Sequence, residues 1–205
     1  MPPRVRALVA ITLIAGAAPA KAGQGPANDA RPLVGIPATF SPTQGPTFQL
    51  RAVMARYRAA RAEPGNRAVW EHLVEQLKPL DLRAKLQRVN GMMNSYPYVL
   101  SVRNWGRPDY WETPFELMRA GGQCQDFALA KYLLLRASGV ADDLMRLVFV
   151  RDARDDLGHA ILVVDVSGEL LVLDNQSAGI LSADRIDYYR PNYAMNQSGW
   201  WHYGE

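Results

Sequence analysis

The stretch that decides the fold is Gly158-His159-Ala160-Ile161-Leu162-Val163-Val164-Asp165-Val166-Ser167-Gly168-Glu169-Leu170-Leu171-Val172-Leu173-Asp174-Asn175. Apolar, β-branched runs on either side of a Ser-Gly pair read as a hairpin with a two-residue turn. With Ser167 and Gly168 in the turn, Val166 faces Glu169 and Ile161 faces Asp174. Side chains alternate between faces along a strand, so His159 shares the face of Ile161 and is the diagonal neighbour of Asp174. A slip of one residue would place them on opposite faces. The first expectation is therefore an antiparallel hairpin that brings a His and an Asp together.

Outward from the hairpin, Met145 to Val150 reads as a preceding strand, joined to it by the charged loop Arg151 to Gly158. Tyr188-Tyr189 and Trp200-Trp201 read as edge strands. Upstream the period changes from two to about 3.6. Leu50, Val53, Met54 and Tyr57 mark one buried helical stripe from Thr47 onward. Pro64-Gly65 stops that helix; Asn66 is the expected cap of a second carrying Val69, Leu73 and Leu77, and Asp81 of a third carrying Leu82, Leu86 and Val89. Tyr96 to Val102 reads as extended, and Trp105 to Trp111 as an aromatic loop. Thr113-Pro114-Phe115-Glu116 combines a capping box with Pro at the first helical position. Helices first and an antiparallel sheet afterwards make an α+β domain.

Gly121-Gly122-Gln123-Cys124-Gln125-Asp126-Phe127-Ala128 places the single cysteine at the start of a helix that runs to Ser138, with Gly139 as its stop. A free Cys ionises near pH ~8.5. The unsatisfied N–H groups of a first helical turn favour the thiolate, and an imidazole within reach can take the proton. The Cys124 N–H is also a candidate oxyanion donor, and Gly122 leaves room for a substrate backbone. Of the three histidines, His72 lies on a polar helix position and His202 near the C-terminus, which leaves His159 as the base. Trp105 and Trp111, with Gly122 and Gln123, are the candidate walls of a substrate cleft.

The bulk properties limit the partners. Arg4 and Arg6, the apolar run Ala7 to Ala18 and Ala20-Lys21-Ala22 read as a cleavable export signal over residues 1–22. The run is shorter than the ~20 residues a membrane-spanning helix needs. Without that segment, which holds three basic and no acidic residues, 23 − 3 = 20 basic residues stand against 20 acidic ones. A neutral chain has no field to gather nucleic acid. Residues 23–46, rich in Pro, Gly and Ala, read as a flexible lead-in to a domain over 47–205.

These residues resemble the bacterial transglutaminase-like cysteine peptidases, which include the periplasmic LapG-type adhesin proteases. The resemblance is carried by Asp109 to Glu116, Cys124 to Tyr132, Leu144 to Val150, His159 to Val164, Leu171 to Asn175 and Trp200 to His202. It spans roughly residues 48–203. It implies a papain/transglutaminase-like core with the nucleophile helix on the sheet, a Cys124-His159-Asp174 triad, periplasmic location and cleavage of a protein substrate such as a large surface adhesin. It also implies an inner-membrane receptor as regulator. In that branch an acidic pair flanks the nucleophile and serves a calcium site needed for activity. Here Gln123 and Gln125 take those places, so weak calcium binding or none is expected, with Asp126 the remaining ligand candidate. Asp152, Asp155 and Asp156 read as a solvated turn. A transglutaminase or glutamine deamidase would use the same three groups, and a binding protein could keep the scaffold without the chemistry.

Overall fold

The computed structural model describes residues 33–42, 45 and 47–204. The expected export signal lies outside them. Six helices precede the main body of a seven-stranded sheet: α1 (Phe48–Ala62), α2 (Pro64–Leu77), α3 (Leu82–Asn94), α4 (Ser101–Trp105), α5 (Pro114–Ala120) and α6 (Cys124–Ala137). The strands are β1 (Ala38–Ser41), β2 (Met145–Asp152), β3 (Leu157–Val166), β4 (Glu169–Leu173), β5 (Leu181–Ser182), β6 (Tyr189–Met195) and β7 (Trp200–Tyr203). All pairings are antiparallel, in the order β1-β7-β6-β2-β3-β4-β5.

The β3–β4 hairpin has the register read from its sequence: Val166 pairs with Glu169 and Leu162 with Leu173. Ser167 and Gly168 both have positive φ, +56° and +94°, which is what the two-residue turn favoured by the twist of a hairpin requires. Alternation along β2 and β3 builds two cores. Leu147, Leu162 and Val164 join the helices on one face, with Trp70, Leu86, Leu129 and Leu134 among the buried residues. Val148, Ile161 and Val163 join Ile186, Tyr189 and Trp201 on the other.

The helices follow their stripes with a few displacements. Leu50, Val53, Met54 and Tyr57 are buried on α1 as expected. In α2, Pro64 is the first helical residue and Glu63 the cap, because proline's missing N–H costs nothing there. Asn66 lies inside the helix and donates to Ala60 O. This start rotates the buried stripe to Trp70, Val74 and Leu77, and Val69 is 51% exposed. Asp81 caps α3 by accepting from Ala84 N–H, as expected. The expected extended run 96–102 gives way at Ser101 to the short helix α4.

Two expectations about strands are corrected. Of the lead-in 23–46, Ala38–Ser41 form an edge strand paired with β7, where the Phe40 ring lies tilted against Trp201 with centroids 5.0 Å apart. And neither β6 nor β7 is an edge: β6 lies between β7 and β2, its Tyr193 stacked on Phe149 at 4.6 Å, and β7 lies between β1 and β6. A strand of seven residues with aromatic side chains on both neighbours has more to bury than an edge allows.

Candidate active site

Three backbone segments converge on the start of α6. Gly121 ends α5 with φ +76°, and a side chain there would overlap Pro97 O. The close approach lets Val99 N–H donate to Gly122 O at 2.9 Å and Gly122 N–H to Pro97 O at 3.2 Å. Asp126, at the third position of α6, accepts from Gln123 N–H and Glu112 N–H, both at 2.8 Å. The Gln123 side chain accepts from Ser101 N–H at 2.8 Å. These bonds fix Cys124 as the first residue of α6, half-buried, with helical N–H groups beside it that have no carbonyl a turn earlier. From Asp126 to Leu135 every residue of the helix is buried, so the thiol stands on a rigid post.

His159 and Asp174 are brought together as the hairpin register requires. His159 Nε2 lies 2.8 Å from Asp174 Oδ1, and both residues are buried. The other ring nitrogen is left for Cys124. Burial alone would lower the His159 pKa, but hydrogen bonds and charge from Asp174 and Cys124 raise it to about 9. Burial likewise opposes the Asp174 charge, yet the His159 hydrogen bond, the His159 charge and two further donors hold its carboxyl below the ordinary value. Those donors are Gln176 N–H on Oδ1 at 2.9 Å and Tyr189 O–H on Oδ2 at 2.6 Å.

Tyr189 had no signal in the sequence beyond its strand, because its role depends on β6 passing behind the hairpin. Two more supports come from side chains. Asn94 of α3 donates to Asp174 O at 2.8 Å and Ser177 O at 3.0 Å, tying the 174–177 turn to the helical layer. Arg154, in the turn before β3, donates to Asp152 and to Gln176 Oε1, and lies 4.0 Å over the Tyr188 ring. The acidic turn is closed by its own arginines: Asp152 pairs with Arg154 and Asp156 with Arg151, while Asp155 accepts from Leu157 N–H.

The expected aromatic cleft is only partly there. Trp111 is 7% exposed and stacks on Phe149 at 5.5 Å, so it belongs to the core. Trp105 is half-buried, stacks on Tyr110 and donates to Glu112 Oε1 at 2.7 Å. An exposed side chain beside Cys124 is instead Tyr98, opposite Gly122 in an isolated bridge. It was hidden in a run that reads only as extended.

The calcium expectation can be tested against the donors present. Both Asp126 oxygens accept N–H groups, and burial raises its pKa to about 8 against those bonds. The Gln123 carbonyl oxygen is taken by Ser101, and Gln125 turns its amide nitrogen toward Asp126 and its oxygen toward the thiol. Glu112 Oε2 is the one buried carboxylate oxygen without a partner among the described residues. No group of three His, Cys, Asp or Glu side chains among the described residues is set to hold a metal ion. Calcium takes six to eight oxygens, and this set does not fit it.

The family described as bacterial transglutaminase-like cysteine proteinase, BTLCP, matches residues 62–203. No curated protein sequence matches the chain. Among solved structures, Legionella pneumophila LapG aligns with a TM-score of 0.60 at 29% identity, over 73% of this chain and 87% of that one. The calcium-bound form of that protein gives a TM-score of 0.60 at 27% identity, over 76% and 90%. Its EGTA-treated form gives the same score at 28% identity, over 75% and 89%.

Proposed function

The chain belongs to the bacterial transglutaminase-like cysteine proteinase family, and from that premise we propose that it is an exported cysteine peptidase working through Cys124, His159 and Asp174. The observation that carries the assignment is the buried 2.8 Å contact between His159 Nε2 and Asp174, made while Cys124 is the other partner of the same ring. A His held in this way has one nitrogen committed to orientation and one free for proton transfer.

In the proposed reaction the Cys124 proton has already passed to His159, which holds it up to about pH 9, and the Cys124 thiolate attacks the carbonyl carbon of a peptide bond. The oxyanion is received by the Cys124 N–H at the start of α6. The imidazolium then gives the proton to the leaving amine, the C–N bond breaks and a thioester remains. Water attacks the thioester with its proton going to His159, and that proton returns to the thiolate as the acid leaves. Asp174 stays ionised throughout and holds the ring. Tyr98 and the Gly121-Gly122 backbone line the approach of the substrate chain.

The substrate is a protein, and the resemblance points to a large surface adhesin, with export directed by residues 1–22 and an inner-membrane receptor as regulator. Nucleic acid is not a partner. The reaction does not depend on calcium, because the glutamines and Asp126 use their oxygens within the protein. The test needs no substrate: the rate of Cys124 alkylation by iodoacetamide is followed against pH, with calcium or EGTA. His159→Ala is expected to slow the reaction at pH 6–7 by about tenfold or more, and EGTA to leave it unchanged. A thiol indifferent to His159 would remove the peptidase assignment, and one that responds only with calcium would remove the calcium-independent part of it. Loss of adhesin release in cells carrying Cys124→Ala tests the substrate.

A further inference from the structure

Between α3 and α4 the backbone of Pro97 to Leu100 is extended, and only one of its two edges is used. Val99 N–H donates to Gly122 O at 2.9 Å, and Gly122 N–H to Pro97 O at 3.2 Å. Ser101 N–H donates to Gln123 Oε1 at 2.8 Å, on the same side. Along an extended chain successive residues turn their N–H and C=O groups to opposite sides. The Tyr98 N–H and C=O and the Leu100 N–H therefore point away from Gly122. None of these three groups has a backbone partner among the described residues. The bridge between Tyr98 and Gly122 is parallel, so the run from 97 to 100 advances alongside the run from 122 to Cys124.

The side chains on this free edge are apolar and exposed. Tyr98, Leu100 and Val102 are three of the six large apolar side chains exposed among the described residues, and they fall within five consecutive positions. Single exposed apolar residues are ordinary; a run of them beside a reactive group marks a contact surface. Leu100 stands at the N-cap of α4 and makes no side-chain cap bond. Leucine is among the poorest residues for that position, where Ser, Thr, Asn or Asp would serve α4 better. Neither burial nor capping accounts for it. Tyr98 and Leu100, two apart, share one face of the extended run, while Val99 between them turns to Gly121.

We propose that Pro97 to Leu100 is a docking strand for the substrate. The segment before the scissile bond binds extended along its free edge, exchanges two backbone hydrogen bonds with Tyr98, and lays an apolar side chain against Tyr98 and Leu100. The inference rests on the peptidase reading above and names the substrate it takes. The leaving amine must lie against His159, which protonates it, so the Gly122 and Tyr98 side is left for the acyl portion. A paired chain lies about 4.8 Å beyond Tyr98 and advances about 3.3 Å per residue, so a carbonyl some two or three residues further on is laid against Cys124. The substrate is thus a loop or linker that offers several residues of unpaired backbone with an apolar side chain ahead of the cut. A helix, or the interior of a sheet, has no backbone groups to give.

The experiment alkylates Cys124 with acetyl-tetra-alanine chloromethyl ketone, which presents only acyl-side residues, and divides each rate by the iodoacetamide rate of the same protein. Thiol reactivity cancels in that ratio. N-methylation is moved along the peptide one amide at a time, and at one position it is expected to lower the ratio by about fivefold or more. Leu in place of Ala, also moved along the peptide, is expected to exceed Asp at one position by about tenfold. Leu100→Asp, which supplies α4 with a favoured cap, is expected to turn that preference from Leu to Lys. A flat N-methyl scan, or a Leu preference that Leu100→Asp leaves in place, overturns the proposal. Should Leu100→Asp fail to fold, the N-methyl scan of the unaltered protein decides alone. Self-association in sedimentation that Leu100→Asp abolishes would give the edge to a second copy and also overturn it. If His159→Ala leaves iodoacetamide alkylation unchanged, the peptidase reading falls and the docking strand with it. If His159 matters and the peptide scans are flat, only the docking strand fails.

Discussion

At His159 burial and hydrogen bonding act in opposite directions, and hydrogen bonding wins. The ring is buried, which disfavours its charge, yet Asp174 and Cys124 carry its pKa from 6.5 to about 9. Because the folded value is the higher one, the stabilisation from this pair is complete below about 6.5 and is lost as pH rises through about 9. Asp174 has the opposite sign: its folded pKa is lowered, so its contribution is complete above 3.8 and is lost as pH falls through the folded value. Activity is therefore expected to fall on an alkaline limb near 9 as the imidazolium loses its proton, and Asp174→Asn should shift that limb downward in a pH-rate profile. At this scale the sequence was informative wherever contacts are local or fixed by a two-residue turn. The pairing of His159 with Asp174 followed from the position of Ser167-Gly168. Tyr189 was not legible, because its significance depends on which strand passes behind the carboxylate. Within Phe127-Ala128-Leu129-Ala130-Lys131-Tyr132 a single lysine reads as the polar side of a helix. Only the all-round burial of α6 turns it into an anomaly.

The elements that seat Cys124 depend on two cheap local devices. Thr113 accepts from Glu116 N–H at 3.3 Å, and Glu116 reaches back to Thr113 N–H at 2.7 Å, closing the capping box of α5. Thr113→Ala is expected to cost about 0.5–2 kcal/mol in urea unfolding. Gly121 carries the heavier constraint, with positive φ and the Pro97 carbonyl against its missing side chain. Gly121→Ala is expected to cost on the order of 1–3 kcal/mol from strain alone and to slow Cys124 alkylation, since the displaced backbone is the one leading into α6. Thr113-Pro114-Phe115-Glu116 announced itself in the sequence, as did the stripe of α1. The start of α2 was displaced because Pro64-Gly65 reads equally well as a stop and as a first turn. The short helix α4 escaped because five residues carry no period, and its start is fixed by Gln123, twenty-two positions away.

Across the whole molecule the sheet divides the described residues into a helical core and a smaller apolar layer, and Cys124, His159 and Asp174 sit where β3, β4 and the start of α6 meet. The α+β class was legible from the change of period along the chain. The strand order was not, because nothing local says that β6 leaves the hairpin and pairs on the far side of β2. Removing residues 200–204 is expected to strip β1 of its partner and leave β6 as an open edge. The measurable outcome is a lower melting temperature with association of the truncated chain, a consequence of unpaired strand edges.

The pairing of Ala38 with Tyr203 joins positions 165 apart in a chain of 205. Loop-closure entropy rises only slowly with length, so the contact costs little more than a shorter one once both ends exist. Before that, β1 has nothing to pair with. A chain delivered from its N-terminus carries β1 as an open strand until residues 200–203 have emerged. The seam between β1 and β7 is thus a pairing that can close only after every other strand of the sheet is available.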